Sequence, residues 1–345
     1  MKKIYSFILA LTVVLSTNSP VFAWGDEGHR AVGAGAAVSL KPATLNQITQ
    51  ILLGDSIAGV STWADTIKRR ADEDDLDPET KLFLAHDKND KNDTWHYVDL
   101  PLDCKDYESC EGFKRNDDIV QMINFCVRRL KTGKEDPQHP MSERNALRML
   151  IHLVGDLHMP FHVGAGFINQ NDASNILIET DPQRIKQYQF IDDTGGNKLF
   201  FKYKPVLAKP DEPEREANAH FYWDVEMIQR LMFANKRTRS PETLGRFLRE
   251  SIKPETNWDS AGADASKWAS QWAADSLKQS KQSAYKNVRI TERRERENNG
   301  RKVTDYLISR GDVAAYDQQA QETARVQIAK AGYRLAKMLE AIYAK

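Results

Sequence analysis

Cysteine is scarce in this sequence, with three residues among 345. A chain of this length can bury a hydrophobic core without a framework of disulfides. The six-residue spacing of Cys104 and Cys110 predicts one local disulfide in an exported protein, whereas Cys126 lies in an apolar helical pattern that predicts a buried free thiol. No cysteine accompanies the histidines and aspartates described below, which argues against a structural zinc site made of thiolates.

An excess of charge of either sign is also missing. Lysine and arginine together number 49, and so do aspartate and glutamate. The sequence therefore has no global positive field that would attract nucleic acid or an anionic membrane. A phosphate-bearing substrate would have to be held by local charge, which metal ions can supply.

Long apolar runs occur only at the N-terminus. Two lysines precede an apolar run at 4–15, and small residues follow at the −3 and −1 positions of a cleavage site after Ala23. This pattern predicts a signal peptide at 1–23 and a secreted or periplasmic protein, with one domain over 24–345 that begins at Trp24. A membrane anchor is the alternative, although the run is short for a membrane span.

Strand patterns are scarce, and internal repeats are missing. The one convincing strand-like run lies at 199–203 after two glycines and predicts a short β-hairpin-like segment near 195–204. Apolar residues recur with helical spacing through much of the remaining chain, for example at 117–130 and 314–344. Ser142 is the expected N-cap of a further helix. The sequence thus predicts a mainly α fold.

The stretch from His152 to His162 is the richest in chemical groups, with three histidines and one carboxylate. On a helix, His152 and Asp156 lie one turn apart on the same face. Pro160 cannot continue that helix, so His162 leaves it and can turn its ring toward a neighbouring point. The pattern fits a segment that supplies ligands to a buried metal cluster, and a core helix with satisfied polar groups is the alternative.

Other histidines and aspartates stand in similar apolar or aromatic contexts. His220 and Asp224 repeat the spacing of one helical turn, and a mixture of imidazoles and carboxylates suits zinc while leaving room for water. After cleavage, Trp24 would offer its amino group as a further nitrogen donor, with aromatic packing as the alternative role. The candidate side-chain ligands are His29, Asp65, His96, His152, Asp156, His162, His220 and Asp224.

Six short motifs carry these residues. In chain order they are Trp24-Gly-x-x-Gly-His29, Trp63-Ala-Asp65, His96-Tyr-x-Asp99, His152-x-x-Gly-Asp156-x-His-x-Pro-x-His162, Gly195-Gly-Asn197 and Asn218-x-His220-x-x-Trp-Asp224. Their order resembles that of the zinc-dependent single-strand nucleases, which include the fungal nucleases S1 and P1, plant bifunctional nucleases and the 3′-nucleotidase/nucleases. The resemblance covers nearly all of 24–345 and implies a mainly α, single-domain helical fold of the phospholipase C/P1 nuclease type.

The resemblance implies three zinc ions. The first would be held by Asp65, His96, His152 and Asp156. The second would be held by the amino and carbonyl groups of Trp24, by His29, and by Asp156, which would bridge the first two ions. The third would be held by His162, His220 and Asp224.

Substrate-binding residues follow from the same resemblance. Tyr97 would stack on a nucleobase, and Asp99 would accept hydrogen bonds from its N–H groups. Asn197 would hydrogen-bond the phosphate or Asp65. Because a duplex keeps its bases stacked inward, such a pocket selects single strands. Core packing is the alternative role for Tyr97.

The implied reaction is hydrolysis of single-stranded DNA and RNA to 5′-phosphate products, with 3′-nucleotides as further substrates. The working unit would be a monomer without a stable protein partner. Asp65, Asp156 and Lys68 would be catalytic, because the carboxylates hold the paired ions and Lys68 stabilises the transition state. An ordinary surface lysine is the alternative for Lys68.

A zinc-dependent phospholipase C is the alternative function, because such enzymes share the metal cluster. Their last ligand pair usually ends in glutamate, where this sequence has Asp224. Tyr97 and Asp99 also suit a nucleobase better than a choline group. These three residues therefore favour the nuclease.

Two segments, 166–190 and 291–302, look like insertions relative to the family. The first enters directly after the expected ligand His162 and would form a flap over the cleft. The second is a run of mixed charges that predicts a surface excursion. Neither changes the ligand set, but the first is expected to alter substrate size or preference.

Overall fold

One buried helix, which carries His152 and Asp156, lies at the centre of a helical fold. The structure, a computed structural model, describes residues 24–69, 76–86, 89, 92–172, 175–298 and 300–343. The expected signal peptide at 1–23 lies outside these residues. Within them, no helix combines the length and the apolar character needed to cross a bilayer. The fold is mainly helical, and the predicted fold class is confirmed.

The helices and their connections follow one another along the whole described chain. The α-helices are α1 (Gly25–Ala37), α2 (Pro42–Ile51), α3 (Ile57–Val60), α4 (Trp63–Arg69), α5 (Pro78–Leu84), α6 (Ile119–Thr132), α7 (Glu143–Leu157), α8 (Pro182–Tyr188), α9 (Ala219–Phe221), α10 (Met227–Phe233), α11 (Pro241–Ser251), α12 (Trp268–Gln279) and α13 (Val313–Tyr343). A π-helical segment, Tyr222–Glu226, joins α9 to α10, and short 3-10 helices lie at Asn92–His96 and Pro160–His162.

The central helix α7 begins and ends where its sequence predicts. The Ser142 side chain accepts a hydrogen bond from the backbone N–H of Asn145, which confirms it as the N-cap. Every residue from Asn145 to Leu157 is buried, so α7 is surrounded by other elements on all sides. Pro160 opens the 3-10 turn that follows and carries the chain away from the helix axis.

Close backbone packing fixes α1 against its neighbours. A Cβ at Gly33 would lie 2.8 Å from Cα of Ala58, and a Cβ at Gly245 would lie 2.0 Å from the carbonyl oxygen of Ala31. Only glycine permits backbones to approach this closely. As a result, α1 lies directly on α3 and α11, and its N-terminal end is buried beside α7.

The strands form three small sheets around the helical core. They are β1 (Leu100–Pro101), β2 (Gly164–Ala165), β3 (Phe167–Asn169), β4 (Leu177–Glu179), β5 (Ile191–Asp192), β6 (Leu199–Tyr203), β7 (Arg215–Asn218), β8 (Arg289–Asn298) and β9 (Arg301–Ser309). The sheets have the strand orders β1-β2, β4-β3-β5 and β7-β6-β9-β8. Sheet β4-β3-β5 and helix α8 are built from the predicted insertion at 166–190 and the residues just after it.

The predicted strand near 195–204 is present as β6, but its partners are distant in sequence. It pairs antiparallel with β7 and parallel with β9. The charged segment 291–302, predicted as a surface excursion, forms the largely exposed end of the long β8–β9 hairpin. The basic and acidic residues of this segment show no alternation of apolar and polar residues that would predict a strand. The buried apolar residues that anchor the hairpin, Tyr306 and Ile308, lie on β9 instead.

The cysteines are arranged as the sequence predicts. Cys104 and Cys110 form a disulfide in the loop after β1. Cys126 is a free, buried thiol on α6. Burial raises the pKa of this thiol, so it is an inert packing group.

Candidate metal centre

Buried histidines and aspartates from separate parts of the chain meet beside the C-terminal half of α7. Each of these residues is at most 4% exposed. Three groups among them bring donor atoms within 4.8 Å of one another, which is close enough to hold metal ions. The groups are His29, Asp65 and His152; His96, His152 and Asp156; and His162, His220 and Asp224. The structure therefore brings all the side chains of the predicted ligand set together.

The carboxylate of Asp156 lies at the middle of the first two groups. Its Oδ2 is 2.8 Å from Nδ1 of His96 and 3.2 Å from Nε2 of His152. Its Oδ1 is 3.1 Å from Nε2 of His29. The two oxygens thus face different histidines, which is the arrangement that a carboxylate bridging two cations requires.

Asp65 completes this side of the centre. Its Oδ1 lies 3.7 Å from Nε2 of His152 and 3.9 Å from Nδ1 of His96. Nζ of Lys68 lies 3.0 Å from Oδ1 of Asp65, whereas Oδ2 is buried and accepts no hydrogen bond from the described residues. A buried carboxylate oxygen without a hydrogen bond is costly unless a further cation balances it. The residues present therefore fit a metal ion.

The backbone fixes the tautomer of the neutral His152 ring. Its Nδ1 lies 2.7 Å from the carbonyl oxygen of Ser61 and must donate a hydrogen there. In the neutral ring, Nε2 then carries a lone pair, and this atom faces Nδ1 of His96 at 3.1 Å. Histidine ligands of metals are commonly oriented by such a bond from the second nitrogen.

In the group of His162, His220 and Asp224, backbone carbonyls orient the histidine rings in the same way. Nδ1 of His162 is 2.7 Å from the carbonyl oxygen of His96, and Nδ1 of His220 is 2.7 Å from that of Gly195. The two Nε2 atoms face each other at 3.2 Å, and Nε2 of His220 is 3.1 Å from Oδ2 of Asp224. Three acceptors thus converge on one point, which suits a cation.

Two glycines help to place the histidines of the centre. A Cβ at Gly195 would lie 2.3 Å from the carbonyl oxygen of Phe161, and φ at Gly195 is +53°, so this residue can present its own carbonyl to His220. A Cβ at Gly155 would lie 2.8 Å from Nδ1 of His29. Gly155 therefore leaves room for the His29 ring, which stacks on His152 with 3.9 Å between ring centroids.

Trp24 lies at the edge of the centre, fully buried. Its backbone nitrogen donates to Oδ1 of Asp224 at 3.0 Å, and its carbonyl accepts from the N–H of Gly28 at 2.8 Å. Its φ of 44° is in the left-handed region, where non-glycine residues are uncommon. The main chain of Trp24 therefore lies next to the predicted metal ligand Asp224.

The electrostatics keep several ligands in the form that binds metal. Burial lowers the pKa of His96 to about 4 and that of His162 to about 3, so both rings are neutral near pH 7. Burial by itself would raise the pKa of Asp65, but the charges of His152 and Lys68 outweigh it and bring the value to about 2. Asp65 is therefore a carboxylate throughout the physiological range.

Among the residues expected to act on the substrate, Lys68 contacts the centre directly. Nζ of Lys68 lies 3.0 Å from Oδ1 of Asp65. Tyr97 and Asp99 are half-buried and follow His96 directly. Asn197 donates its side-chain N–H to the carbonyl of Thr194 at 2.8 Å, and so bonds within its own turn rather than to Asp65.

The sequence motifs do not reveal four contributors to the site. Ser61 contributes only its backbone carbonyl oxygen, and because every residue has one, the sequence cannot mark it as part of the site. Arg115 lies over the ring of Tyr97, with 4.8 Å from Cζ to the ring centroid, and donates to the Tyr97 carbonyl at 3.1 Å. Burial raises the pKa of Asp99 most strongly, and the negative charges of Asp192 and Asp193 raise it further, to about 7. The contacts of Arg115 and Asp192 come from distant segments, so no local motif marks them.

His158 belongs to the packing behind the centre. Its Nδ1 donates to the carbonyl of Val154 at 2.8 Å, and its Nε2 lies 3.1 Å from Nη1 of Arg334. Both ring nitrogens are therefore occupied. His158 therefore stabilises the turn between Asp156 and His162 and does not belong to the three groups that could hold metal ions.

Comparison with known proteins gives concordant matches. A family model described as S1/P1 nuclease matches residues 24–344. Endonuclease 3 of Arabidopsis thaliana is 22% identical over 291 residues, which cover 82% of each chain, and Endonuclease 4 of the same plant is 21% identical over 298 residues, again 82% of each. Nuclease S1 of Aspergillus oryzae is 27% identical over 165 residues, or 45% of this chain and 48% of that one.

Proposed function

Because this chain belongs to the S1/P1 nuclease family and is therefore a hydrolase of phosphoester bonds in nucleic acids, we propose that it uses three zinc ions to cleave single-stranded DNA and RNA. The observation that carries the proposal is the position of Asp156, whose two oxygens face separate sets of histidines at 2.8–3.2 Å. That arrangement supports a pair of bridged ions. The third ion is supported by the facing nitrogens of His162 and His220.

The ligand sets follow from these contacts and from the family. Asp65, His96, His152 and Asp156 hold the first ion. Trp24 through its amino and carbonyl groups, His29 and Asp156 hold the second. His162, His220 and Asp224 hold the third. Zinc bound there supplies a Lewis acid that activates water near neutral pH and neutralises charge on a phosphate.

The protein side chains orient the reacting groups. Asp65, with its pKa at about 2, is too weak a base to take a proton near neutral pH and instead accepts a hydrogen bond from the attacking water. Lys68, anchored on Asp65, donates to the phosphate oxygens as negative charge develops on them. Water attacks phosphorus opposite the 3′ oxygen, and the bond between phosphorus and that oxygen breaks. The phosphate therefore stays on the 5′ oxygen of the product. Asn197 assists by binding the phosphate.

Recognition of single strands rests on Tyr97 and Asp99. Arg115 covers one face of the Tyr97 ring and holds its backbone, so the ring is pre-positioned to stack on a nucleobase with the other face. Stacking of this kind contributes about 1–3 kcal/mol per base and tolerates any sequence. Asp99 accepts hydrogen bonds from the base N–H groups. A 3′-nucleotide, with one base and one phosphate, is the smallest substrate that satisfies both elements.

Export completes the proposal. A signal peptide at 1–23 delivers a single nuclease domain, 24–345, to the periplasm or the medium, where the Cys104–Cys110 disulfide is stable. Cleavage after Ala23 frees the amino group of Trp24 for the second ion. The domain acts as a monomer and needs no stable protein partner.

One assay set tests this function. The protein beginning at Trp24 is treated with chelator, restored with zinc, and offered single-stranded DNA, RNA, duplex DNA and phosphatidylcholine. We expect zinc-dependent cleavage of the single strands, slow cleavage of the duplex and no lipid turnover. Lipid turnover without cleavage of nucleic acid would overturn the proposal in favour of a phospholipase C.

A further inference from the structure

The insertion at 166–190 carries an aromatic pair at its outer end. The rings of Tyr188 and Phe190 lie 5.5 Å apart between centroids, with 23° between their planes. Phe190 packs against the small apolar cluster beneath the insertion, which includes Phe167 and Ile185. Tyr188 is 49% exposed. The pair therefore consists of one anchored ring and one ring that faces solvent.

The backbone is shaped to bring these two rings together. Helix α8 ends at Tyr188, and Gln189 then takes the left-handed conformation, with φ 51° and ψ 46°. This turn folds Phe190 back toward Tyr188. Without such a reversal, the helix would carry the two side chains to different faces. A non-glycine residue in this conformation is uncommon and needs support from its surroundings, which the partly buried Phe190 provides.

The pair lies close to the Tyr97–Asp99 pocket. Strand β1 begins directly after Asp99 and pairs with β2, and the chain continues from β2 into β3. On β3, Phe167 is paired with Asp192 of β5. Phe113 packs on the same apolar cluster as Phe190 and lies two residues before Arg115, whose guanidinium covers the Tyr97 ring. Tyr188 precedes Asp192 by four residues, so it lies at most about 14 Å from Asp192 along the chain.

The chemistry of the surface fits a nucleobase. Exposed aromatic rings at a cleft are sequence-tolerant stacking partners for the bases of a single strand. Arg184 and Lys186 are exposed on the same helix. Nε of Arg184 is paired with Glu179 at 2.7 Å, and its Cζ lies 6.0 Å from the Tyr188 ring centroid. Lys186, whose Nζ lies 5.4 Å from the Phe113 ring centroid, supplies a cation that favours a nearby phosphate. A duplex offers no free base face to this surface.

We propose that Tyr188 and Phe190 form a stacking platform for a second nucleobase, several nucleotides along the single strand from the base in the Tyr97 pocket. The inference rests on the proposed single-strand nuclease function and deepens it. A short stretch of extended strand spans the distance between the two aromatic sites. The platform therefore contributes to the binding of longer strands, and contributes little to substrates that end at the Tyr97 pocket.

The test compares Tyr188→Ala, Tyr188→Trp and a control, Leu177→Ala, which removes a 50% exposed aliphatic side chain from the same insertion. Initial rates on a dinucleotide and on an octanucleotide give the ratio of the two kcat/KM values. In Tyr188→Ala, this ratio of octanucleotide to dinucleotide should fall by about tenfold through a higher KM. Tyr188→Trp and Leu177→Ala should keep the wild-type ratio.

An unchanged ratio in Tyr188→Ala would overturn the platform, as would an equal loss in Leu177→Ala, since that would indicate a general effect on the insertion. These outcomes are distinct from failure of the proposed function. If the zinc-loaded wild type cleaved neither substrate, the nuclease function on single strands would be contradicted before the variants were compared.

Discussion

The Nε2 atoms of His162 and His220 face each other at 3.2 Å. Each ring donates its Nδ1 hydrogen to a backbone carbonyl, so in the neutral rings both facing atoms carry lone pairs. Two lone pairs at this distance repel each other unless a proton or a metal ion lies between them. Burial lowers the pKa of His220 but the charge of Asp224 outweighs it and raises the value, so a proton and a metal ion compete for this point. We therefore expect metal binding at this point to stabilise the folded chain.

Replacing His220 with alanine should remove one ion. The variant should bind one zinc fewer per chain than the wild type and should lose the gain in melting temperature that this ion provides. Metal content by plasma mass spectrometry and thermal unfolding with and without zinc measure the two effects. His86→Ala, at a histidine outside the three metal-type groups, is the matched control. Equal zinc content in His220→Ala and the control would contradict the assignment.

Replacing Asp156 with asparagine should affect two ions at once, because each carboxylate oxygen faces a different set of histidines. The amide keeps the shape of the side chain but loses its charge. We expect kcat on single-stranded DNA to fall by at least about a hundredfold, together with zinc content. Asp259→Asn, at an exposed acid, should leave both unchanged. A variant that kept its zinc and lost only activity would argue against bridging.

The start of the chain provides a third prediction. If the amino group of Trp24 is a ligand, then two alanines added before Trp24 should abolish activity and lower zinc content, because an amide nitrogen is a poor metal ligand. The same residues added after Lys345 should have no effect. Edman sequencing must establish the N-terminus of each protein. Full activity of the extended protein would show that Trp24 packs there without binding metal.

Arg115 should matter for binding rather than for chemistry. Arg115→Ala removes the guanidinium that covers the Tyr97 ring and holds the carbonyl oxygens of Thr94 and Tyr97. We expect KM for single-stranded DNA to rise by about tenfold while kcat changes little, since only base stacking is weakened. Steady-state kinetics separate the two constants. The adjacent Lys114→Ala serves as the control, and a fall in kcat alone would exclude a role in base binding.

The pH dependence of base binding should depend on Asp192. Burial, followed by the charges of Asp192 and Asp193, raises the pKa of Asp99 to about 7. The ionised form is the better acceptor, so KM for bases with N–H donors should fall as pH rises through about 7. Asp192→Asn removes a negative neighbour, lowers the pKa of Asp99 and moves this transition to lower pH. Measurement of KM across the neutral range tests it.

The same comparison has a clear negative outcome. Glu111→Gln, at an exposed acid of the disulfide loop, should leave the midpoint where the wild type has it. If Asp192→Asn also left the midpoint unchanged, another group would control the pH dependence of binding.

Local regularities account for what the sequence predicts correctly. The helical spacing of His152 and Asp156 fixes their common face, and Pro160 fixes the end of the helix. Ser142 and the pattern at 117–130 define helix starts and faces through interactions within a few residues. The disulfide joins cysteines six residues apart. In each case the determining contact lies close in sequence.

The remainder depends on contacts between distant segments. Arg115 reaches Tyr97 only because the disulfide loop folds back over it, and Asp192 approaches Asp99 only because β5 pairs with β3. The strand character of 289–298 depends on its apolar partner β9. The backbone carbonyls of Ser61 and Gly195 orient histidines without any side chain that a sequence could reveal.

A crystal structure of the protein beginning at Trp24, with anomalous scattering recorded at the zinc edge, would locate the bound ions. We expect three zinc peaks per chain: two on opposite sides of the Asp156 carboxylate and one among His162, His220 and Asp224. A zinc-soaked crystal without peaks at these residues, or with a single ion bound elsewhere, would contradict this expectation.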